Sequence, residues 1–476
     1  MRRSVPPLIA LHFIFFTTVT LVPALAREPL LPEVLRTEHT DFTANQERLV
    51  LADREIILQL IKLARFNIQF HQGTNIHWAW RNWLYPIAQE AGTGASLANT
   101  ITDLTQRAKG LKNPNLISRS TQKQALRSAI AGNAISGGAS AAELAQNAMV
   151  VVIASRHGYS PRASVAFVKN QLATIDGLLE QRQQIVNATR PGALHQTYEL
   201  EGLLLEQVRD QLLLEFKRWS AHSRETMWRE NTFFALDSLQ NFASMGSSIV
   251  STKGFASPWL GGSAAISGLV ANSTAALNPL IKTGVGVCVR KYQRWHLSKV
   301  LPQKRPVPTE DLLAKWRDLG QRAALSPPES VDSLHIQEAS FFVANSERAE
   351  LVLSREQKQI EKLRQVAVQQ TISGPIIGMA SVARSLLSTI GYYEYRATPD
   401  VNNKLGFAGR LSQTCGQTYS MINTPVTFIS QRIYTQHLRE RGELPEQMLA
   451  RRLTRLAEIE KEVEVANTAN PSSSDR

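Results

Sequence analysis

The stretch "GGSAAISGLVANSTAALNPLIK", residues 261–282, decides how the fold is interpreted. It is apolar, its one charged residue is Lys282 at its end, and Gly, Ala, Ser, Thr and Asn stand where a soluble helix would carry leucine. On a helix, small residues four positions apart form a stripe that lets a second helix approach closely. The stretch therefore predicts a helix built for tight helix–helix contact.

Two further stretches, residues 129–155 and 405–429, share this composition. Their small residues recur at four-residue steps, as in Ala134, Gly138 and Ala142. The glycines predicted to lie at helix contacts are Gly138, Gly268, Gly374, Gly378 and Gly416. The stretches 261–282 and 405–429 each hold an Asn and a Pro near their ends and lead into basic sequence, which indicates a degenerate repeat.

Between these stretches lie acid-containing segments with helical periodicity. Residues 199–219 place Leu204, Val208, Leu212 and Phe216 four apart, and residues 347–370 and 445–465 show similar spacing. Strand signals are sparse. The chain is therefore predicted to be mostly α-helical, with long amphipathic helices alternating with Gly/Ala/Ser-rich helical hairpins.

Composition also divides the chain into blocks, because residues 238–309 hold no Asp or Glu and eight Lys or Arg. The predicted divisions are a signal peptide (1–26), an N-terminal helical region with a Trp-rich patch (27–103), a small-residue hairpin with acid-containing helices (104–237), an acid-free small-residue block with amphipathic helices (238–361), a third small-residue block (362–444), a C-terminal amphipathic helix (445–465) and a disordered tail (466–476).

The first 26 residues predict export. Two arginines precede an apolar run from Leu8 to Val22, and Ala24-Leu25-Ala26 follows as a cleavage site. This order is typical of a secretory signal peptide, so the mature chain is expected to begin at Arg27. An uncleaved anchor is the alternative interpretation.

Residues 70–86 form the densest aromatic patch of the sequence, with Trp78, Trp80, Trp83 and Tyr85. Trp and Tyr favour half-wet positions, so the patch could anchor the chain at an interface or line a ligand pocket. The alternative is a helix whose tryptophans cover the core, because large aromatic residues dominate cores.

A basic segment follows the opening stretch and suits an anionic surface, either a membrane or an envelope polymer. Its candidate contact residues are Lys282, Arg290, Lys291, Arg294, Trp295 and Lys299. The alternative is that these charges face solvent or pair with the acids of residues 310–361. Nucleic acid is disfavoured as a partner, because an exported protein rarely meets it and the bases are dispersed through apolar sequence.

Residues 261–281 are uncharged and long enough to span a bilayer, but Asn272 and Asn278 oppose insertion. Arg384 lies inside a second apolar stretch, residues 375–391, and would cost about 2.5–3.5 kcal/mol at the centre of a bilayer. A constitutive multi-pass protein is therefore not expected. Association with a membrane, or conditional entry into one, stays open.

The two cysteines, Cys288 and Cys415, allow two interpretations: a disulfide formed after export, or two buried thiols that pack as small hydrophobic residues.

No catalytic motif is present, since the sequence contains no GxSxG, P-loop, GxGxxG or HExxH. His222-x-x-Glu225 and His335-x-x-Glu338 reverse the order that di-iron bundles use, so neither a metal nor a cofactor is predicted. The leading hypothesis is an exported, non-enzymatic helical protein of the cell envelope that packs or self-associates as a homo-oligomer and docks peripherally on a membrane. The second is a soluble periplasmic or secreted helical binding protein, and the third an enzyme with an unrecognised site.

Overall fold

The computed structural model describes residues 33–74, 81–113, 116–189, 193–254, 259–302, 314, 378–395, 397–442 and 444–468. Within these ranges the regular structure is helical, so the predicted mostly α-helical fold is confirmed. Met1–Glu47 and Arg48–Arg476 form two compact units, and the second holds the helix bundle. The signal peptide, the 347–370 segment and residues 469–476 of the tail lie outside the described residues.

The helices are long. They are α1 (Glu33–Thr74), α2 (Arg81–Lys112), α3 (Arg119–Arg156), α4 (Pro161–Ala188), α5 (Ala193–Gly254), α6 (Trp259–Val300), α7 (378–393), α8 (Pro399–Glu440) and α9 (Pro445–Thr468). Local sequence sets several of their ends. Ser118 and Ser160 cap α3 and α4 through their side-chain oxygens, and Pro161 occupies the first turn of α4, where no backbone N–H is needed.

Three details of the predicted organisation differ from the structure. Each small-residue stretch is one continuous helix and not a hairpin, because tight packing against neighbours compensates for the weak helix propensity of its Gly and Ser residues. The predicted divisions after residues 103 and 237 fall inside α2 and α5. The last helix runs to Thr468, three residues into the predicted tail.

One part of the bundle has an ordinary hydrophobic core. Residues of α1, α4, the first half of α5 and α9 bury Leu, Ile, Val and Phe side chains against one another, with Leu297 and Leu301 closing the core from the end of α6. The four-residue spacing of Leu204, Val208, Leu212 and Phe216 correctly predicted the buried face of α5. We call this part the apolar-core half.

Buried charge in the apolar-core half is paired. Arg182 of α4 donates to the carboxylate of Asp53 on α1, and its Nη2 lies 3.3 Å from Glu201 Oε2 on α5. Arg182 Nη1 donates to the carbonyl of Tyr198 at 2.8 Å. Because Arg182 is only 1% exposed, this ion cluster ties three helices together without solvent.

Candidate functional site

The remaining helices reverse the usual distribution of polarity. They are α2, α3, the second half of α5 from residue 228, α6, α7 and α8, and we call them the inverted half. Their interfaces bury polar residues: Asn99, Thr100, Asp103, Gln106, Ser136, Ser140, Glu143, Asn147, Ser238, Asn241, Asn278, Ser385, Arg410 and Gln413. Among their described side chains, the buried apolar ones are alanines, Phe234 and Leu297, and Leu297 belongs to the apolar core at the end of α6. The interior of this half is therefore largely polar.

A polar network joins three helices at the centre of the inverted half. Ser140 of α3 donates to Asp237 Oδ2 on α5, and Gln89 Nε2 of α2 lies 3.1 Å from the same oxygen. Gln89 Nε2 also lies 3.0 Å from Ser140 Oγ. The hydroxyl of Tyr85 hydrogen-bonds the same serine and aspartate, and its ring packs edge-on against Phe234. Asp237 thus accepts from neighbours on α2 and α3.

Glycine and hydroxyl groups bring the helices of this half close together. A Cβ on Gly132 of α3 would lie 2.7 Å from the carbonyl oxygen of Gly92 on α2. Ser247 Oγ of α5 donates to the carbonyl of Ala264 on α6 at 2.7 Å. Ser267 Oγ of α6 donates to the carbonyl of Ala243 on α5 at 3.2 Å. Helix backbones that approach this closely need small side chains between them.

The outer surface of the same helices is apolar. Large apolar side chains exposed there are Leu84, Ile87, Ile135, Met149, Val152, Leu239, Phe242, Ile249, Ile266, Val270, Leu277, Leu280, Val287, Met379, Leu386, Ile390, Leu411, Ile422, Val426 and Ile429. Single exposed apolar residues are normal on soluble proteins, but a continuous surface of them marks contact with lipid or protein.

Charge is absent from this surface over a defined span. We define the apolar band as residues 84–98, 129–152, 228–249, 260–287, 378–390 and 411–431. Within this band, no charged side chain that the structure describes is exposed. The charged residues that occur there are buried or half-buried: Glu90, Glu143, Arg229, Glu230, Asp237, Lys282 and Arg384. Exposed bases appear beyond the band, for example Arg127 on α3 and Arg294 on α6.

The dimensions of α6 match those of a bilayer. Its exposed apolar residues run from Ile266 to Val287, which are 21 residues or about 32 Å apart along a helix, against about 30 Å for a hydrocarbon core. At one end Tyr392 and Tyr393 pack over Gly261 and Gly262. At the other end Tyr292 and Trp295 are exposed. Aromatic residues at both ends of an apolar span are typical of membrane interfaces.

By length and composition alone, the described helix Leu260–Val300 could cross a membrane. The amide groups of Asn272 and Asn278, expected to oppose insertion, donate inside the protein. Asn272 Nδ2 donates to Ser385 Oγ at 2.6 Å, and Asn278 Nδ2 donates to the carbonyl of Phe233 at 3.3 Å. An amide that donates internally is less costly in hydrocarbon than a free one.

The predicted basic contact residues divide into two groups. Lys282 is half-buried with its ammonium 4.7 Å from the centre of the Phe233 ring, and Arg290 forms an ion pair with Glu225, so the expectation of one exposed basic face is wrong for Lys282 and incomplete for Arg290. Lys291, Arg294, Trp295 and Lys299 are exposed at the end of α6. Lys299 Nζ lies 3.9 Å from the centre of the Trp295 ring.

The predicted packing glycines differ in how closely they contact neighbouring helices. Gly378 of α7 is in close contact, since a Cβ there would lie 2.7 Å from Ala276 Cβ on α6. Gly268 faces Ser247 and Ser385 at ordinary contact distance, and Gly416 is half-buried. The prediction for Gly138 is wrong, because the residue is exposed and a Cβ would meet nothing within 4 Å. Gly374 lies outside the described residues.

The aromatic patch is described only in part. Trp78, Trp80 and the side chain of Trp83 lie outside the described residues, whereas Tyr85 is half-buried in the Asp237 network. Cys288 and Cys415 are both free and exposed, so neither the disulfide nor the buried thiols are found. They lie on the outer faces of α6 and α8.

Sequence reasoning missed two groups of residues. One is the Asp237 network, whose members stand far apart in the sequence. The other is a charged cluster of Asp103, Arg107, Arg384 and Arg410 on α2, α7 and α8. Within the described residues, no group of three or more His, Cys, Asp or Glu side chains could hold a metal ion.

Comparison with known proteins identifies no relative: no family model, no curated protein and no solved structure matches the chain.

Proposed function

We propose that this chain is an exported membrane protein of the cell envelope, whose inverted half sits in a lipid bilayer and whose apolar-core half lies outside it. The observation that carries the proposal is the apolar band: a surface of large apolar side chains with no exposed described charge, around a polar interior. In water this arrangement would expose apolar area and bury polar groups, both at a cost. In a bilayer the exposed apolar side chains contact acyl chains, so their exposure is no longer costly. Polar groups are better placed inside the protein, where they can find partners, than in contact with hydrocarbon.

The ends of the band support the same proposal. Lys291, Arg294 and Lys299 follow the apolar part of α6 and stand at the depth where lipid headgroups would lie. Each cation near an anionic leaflet adds about 1 kcal/mol of attraction. Trp295 and Tyr292 are suited to the same layer. The basic segment then flanks an embedded bundle, where the sequence alone suggested peripheral docking.

The proposal is tested by extraction of the full chain from membranes of a cell that expresses it. An embedded bundle should stay in the membrane fraction after high salt and after alkaline carbonate, and should be released by detergent. Peripheral docking predicts release by salt or carbonate. Recovery in the soluble fraction without detergent would contradict the proposal and favour the soluble binding protein.

Export is tested separately. N-terminal sequencing of the protein from its native host should begin at Arg27 or within a residue or two, because Ala24-Leu25-Ala26 has the small-x-small pattern that signal peptidase cleaves. An intact Met1 in the cytosolic fraction would remove the envelope location. Self-association through small-residue helices stays a prediction.

A further inference from the structure

Three arginines from three helices converge on one aspartate in the inverted half. Asp103 Oδ2 of α2 accepts from Arg107 Nε on the same helix at 3.2 Å and from Arg410 Nε of α8. Arg410 Nη1 also donates to Gln413 Oε1 at 3.2 Å. Arg384 of α7 is the third arginine of the cluster. Three guanidiniums and one carboxylate leave a net charge of about +2 within a helix interface, where charge is weakly screened.

Arg384 is the least engaged of the three. It makes no hydrogen bond to any residue that the structure describes. Asp103 is the described carboxylate with which its guanidinium interacts electrostatically. Its side chain is half-buried between α2 and α8. Arg107 uses one of its three nitrogens, Nε, to contact Asp103. Its side chain is 28% exposed, so the cluster is open to solvent at Arg107. The described contacts therefore leave several N–H groups available to a ligand.

Two glycines of α8 shape the cluster. A Cβ on Gly406 would overlap Arg107 Nη1 and lie 2.6 Å from Arg107 Cζ. A Cβ on Gly409 would lie 3.1 Å from Arg384 Cα. A larger residue at Gly406 would displace the Arg107 side chain, and one at Gly409 would crowd the backbone of α7 at Arg384. Glycine at these two positions therefore leaves room for the Arg107 side chain and lets α7 approach α8 beside the cluster.

We propose that Arg107, Arg384 and Arg410 form a binding site for a phosphate group. A phosphate monoester carries about −1.5 to −2 charges at neutral pH, which balances the excess of about +2, whereas a carboxylate would balance only half of it. The planar fork of a guanidinium pairs with two phosphate oxygens at once. The phosphate could be free in solution or be the monoester headgroup of a lipid such as phosphatidic acid. The site does not require the proposed membrane location.

The test compares purified wild-type protein with Arg384→Gln in chloride buffer at fixed ionic strength. Inorganic phosphate should bind the wild type, and the variant should bind it at least about tenfold more weakly by titration calorimetry, because a charge-assisted fork is lost. Arg384→Lys, which keeps the charge and loses the fork, should fall between them. Arg162→Gln removes an exposed arginine of the apolar-core half and should bind as the wild type does. Arg384→Gln should fold normally, since it removes a like charge.

A second arm uses phosphatidylcholine vesicles with and without phosphatidic acid. Binding to free phosphate that depends on Arg384 identifies a soluble ligand, and dependence on Arg384 only with phosphatidic acid identifies the lipid. Both results support the site. The proposal is overturned if the wild type binds in neither arm, or if Arg384→Gln binds as tightly as the wild type in both.

Discussion

Ser140 of α3 donates a hydrogen bond to the carboxylate of Asp237 on α5, while Leu239, two residues along the same helix, is 55% exposed. This pair of helices therefore turns its polar groups inward and its leucine outward. The pattern continues through α2, α6, α7 and α8, and the lipid-facing proposal is built on it.

The first prediction concerns two glycines on one helix. Gly132→Ala should lower the free energy of unfolding by about 1–3 kcal/mol, because the added methyl would crowd the Gly92 carbonyl and Ala95. Gly138→Ala should leave it unchanged or raise it by up to about 1 kcal/mol, since alanine has the better helix propensity and the site is open. Thermal unfolding of the two variants measures the difference. Equal shifts would show that α3 does not pack through Gly132.

The second prediction concerns the buried ion cluster. Arg182→Met should destabilise the protein by about 3–5 kcal/mol, because it removes the cation beside Asp53 and Glu201. Adding Asp53→Asn to that variant should restore part of the loss. Arg455→Met breaks an exposed pair with Glu458 and should cost less than about 1 kcal/mol. Denaturant unfolding checks both, and similar costs for Arg182 and Arg455 would contradict the structure.

The third prediction concerns pH. His71 stacks on Trp219 at 4.7 Å, and burial, with a smaller contribution from His222, lowers the pKa of His71 to about 4. The unfolded chain, with a pKa near 6.5, then binds more protons between pH 6.5 and 4, so stability falls as pH drops through that window. The contribution is at most about 3 kcal/mol. His71→Phe keeps an aromatic ring and removes the titration.

The stability of His71→Phe relative to wild type should therefore improve as the pH is lowered from 7 to 4. Groups that do not interact with His71 titrate in both proteins and cancel in the difference, whereas His222, whose charge acts on His71, cancels only in part. A difference that stays constant across the window would mean that His71 is as easily protonated in the folded state as in the unfolded one.

The sequence predicted the helical fold because large apolar residues recur at helical spacing in α5 and α9. It also predicted close packing through small residues, but not which row of them packs. In α3 the contact row is Gly132, Ser136 and Ser140, two positions away from the predicted row with Gly138. A two-residue step turns about 200° around a helix, so the predicted row faces outward. Where nearly every position is small, several rows satisfy the same spacing.

The inverted polarity could not be predicted for a related reason. Mean hydropathy averages the faces of a helix, so the polar residues that α2 and α8 bury, such as Asp103 and Gln413, mask the apolar residues that they expose. The arginine cluster joins residues about 300 positions apart, such as Asp103 and Arg410, and leaves no local signal. Among the helices that the structure describes, α6, whose buried polar residues are few, is the one apolar enough on average to be a candidate span.

The last prediction concerns the depth of α6 in the bilayer. In a chain with Cys288→Ser and Cys415→Ser, single cysteines are introduced as Leu280→Cys, within the apolar band, or Arg294→Cys, in the exposed basic segment. A maleimide reacts with the thiolate, which does not form in hydrocarbon, so Leu280→Cys should react at least about tenfold more slowly than Arg294→Cys in sonicated membranes open on both faces. After denaturation both cysteines should react alike. Equal rates in intact membranes would mean that water reaches the band, and the lipid-facing assignment of α6 would fail.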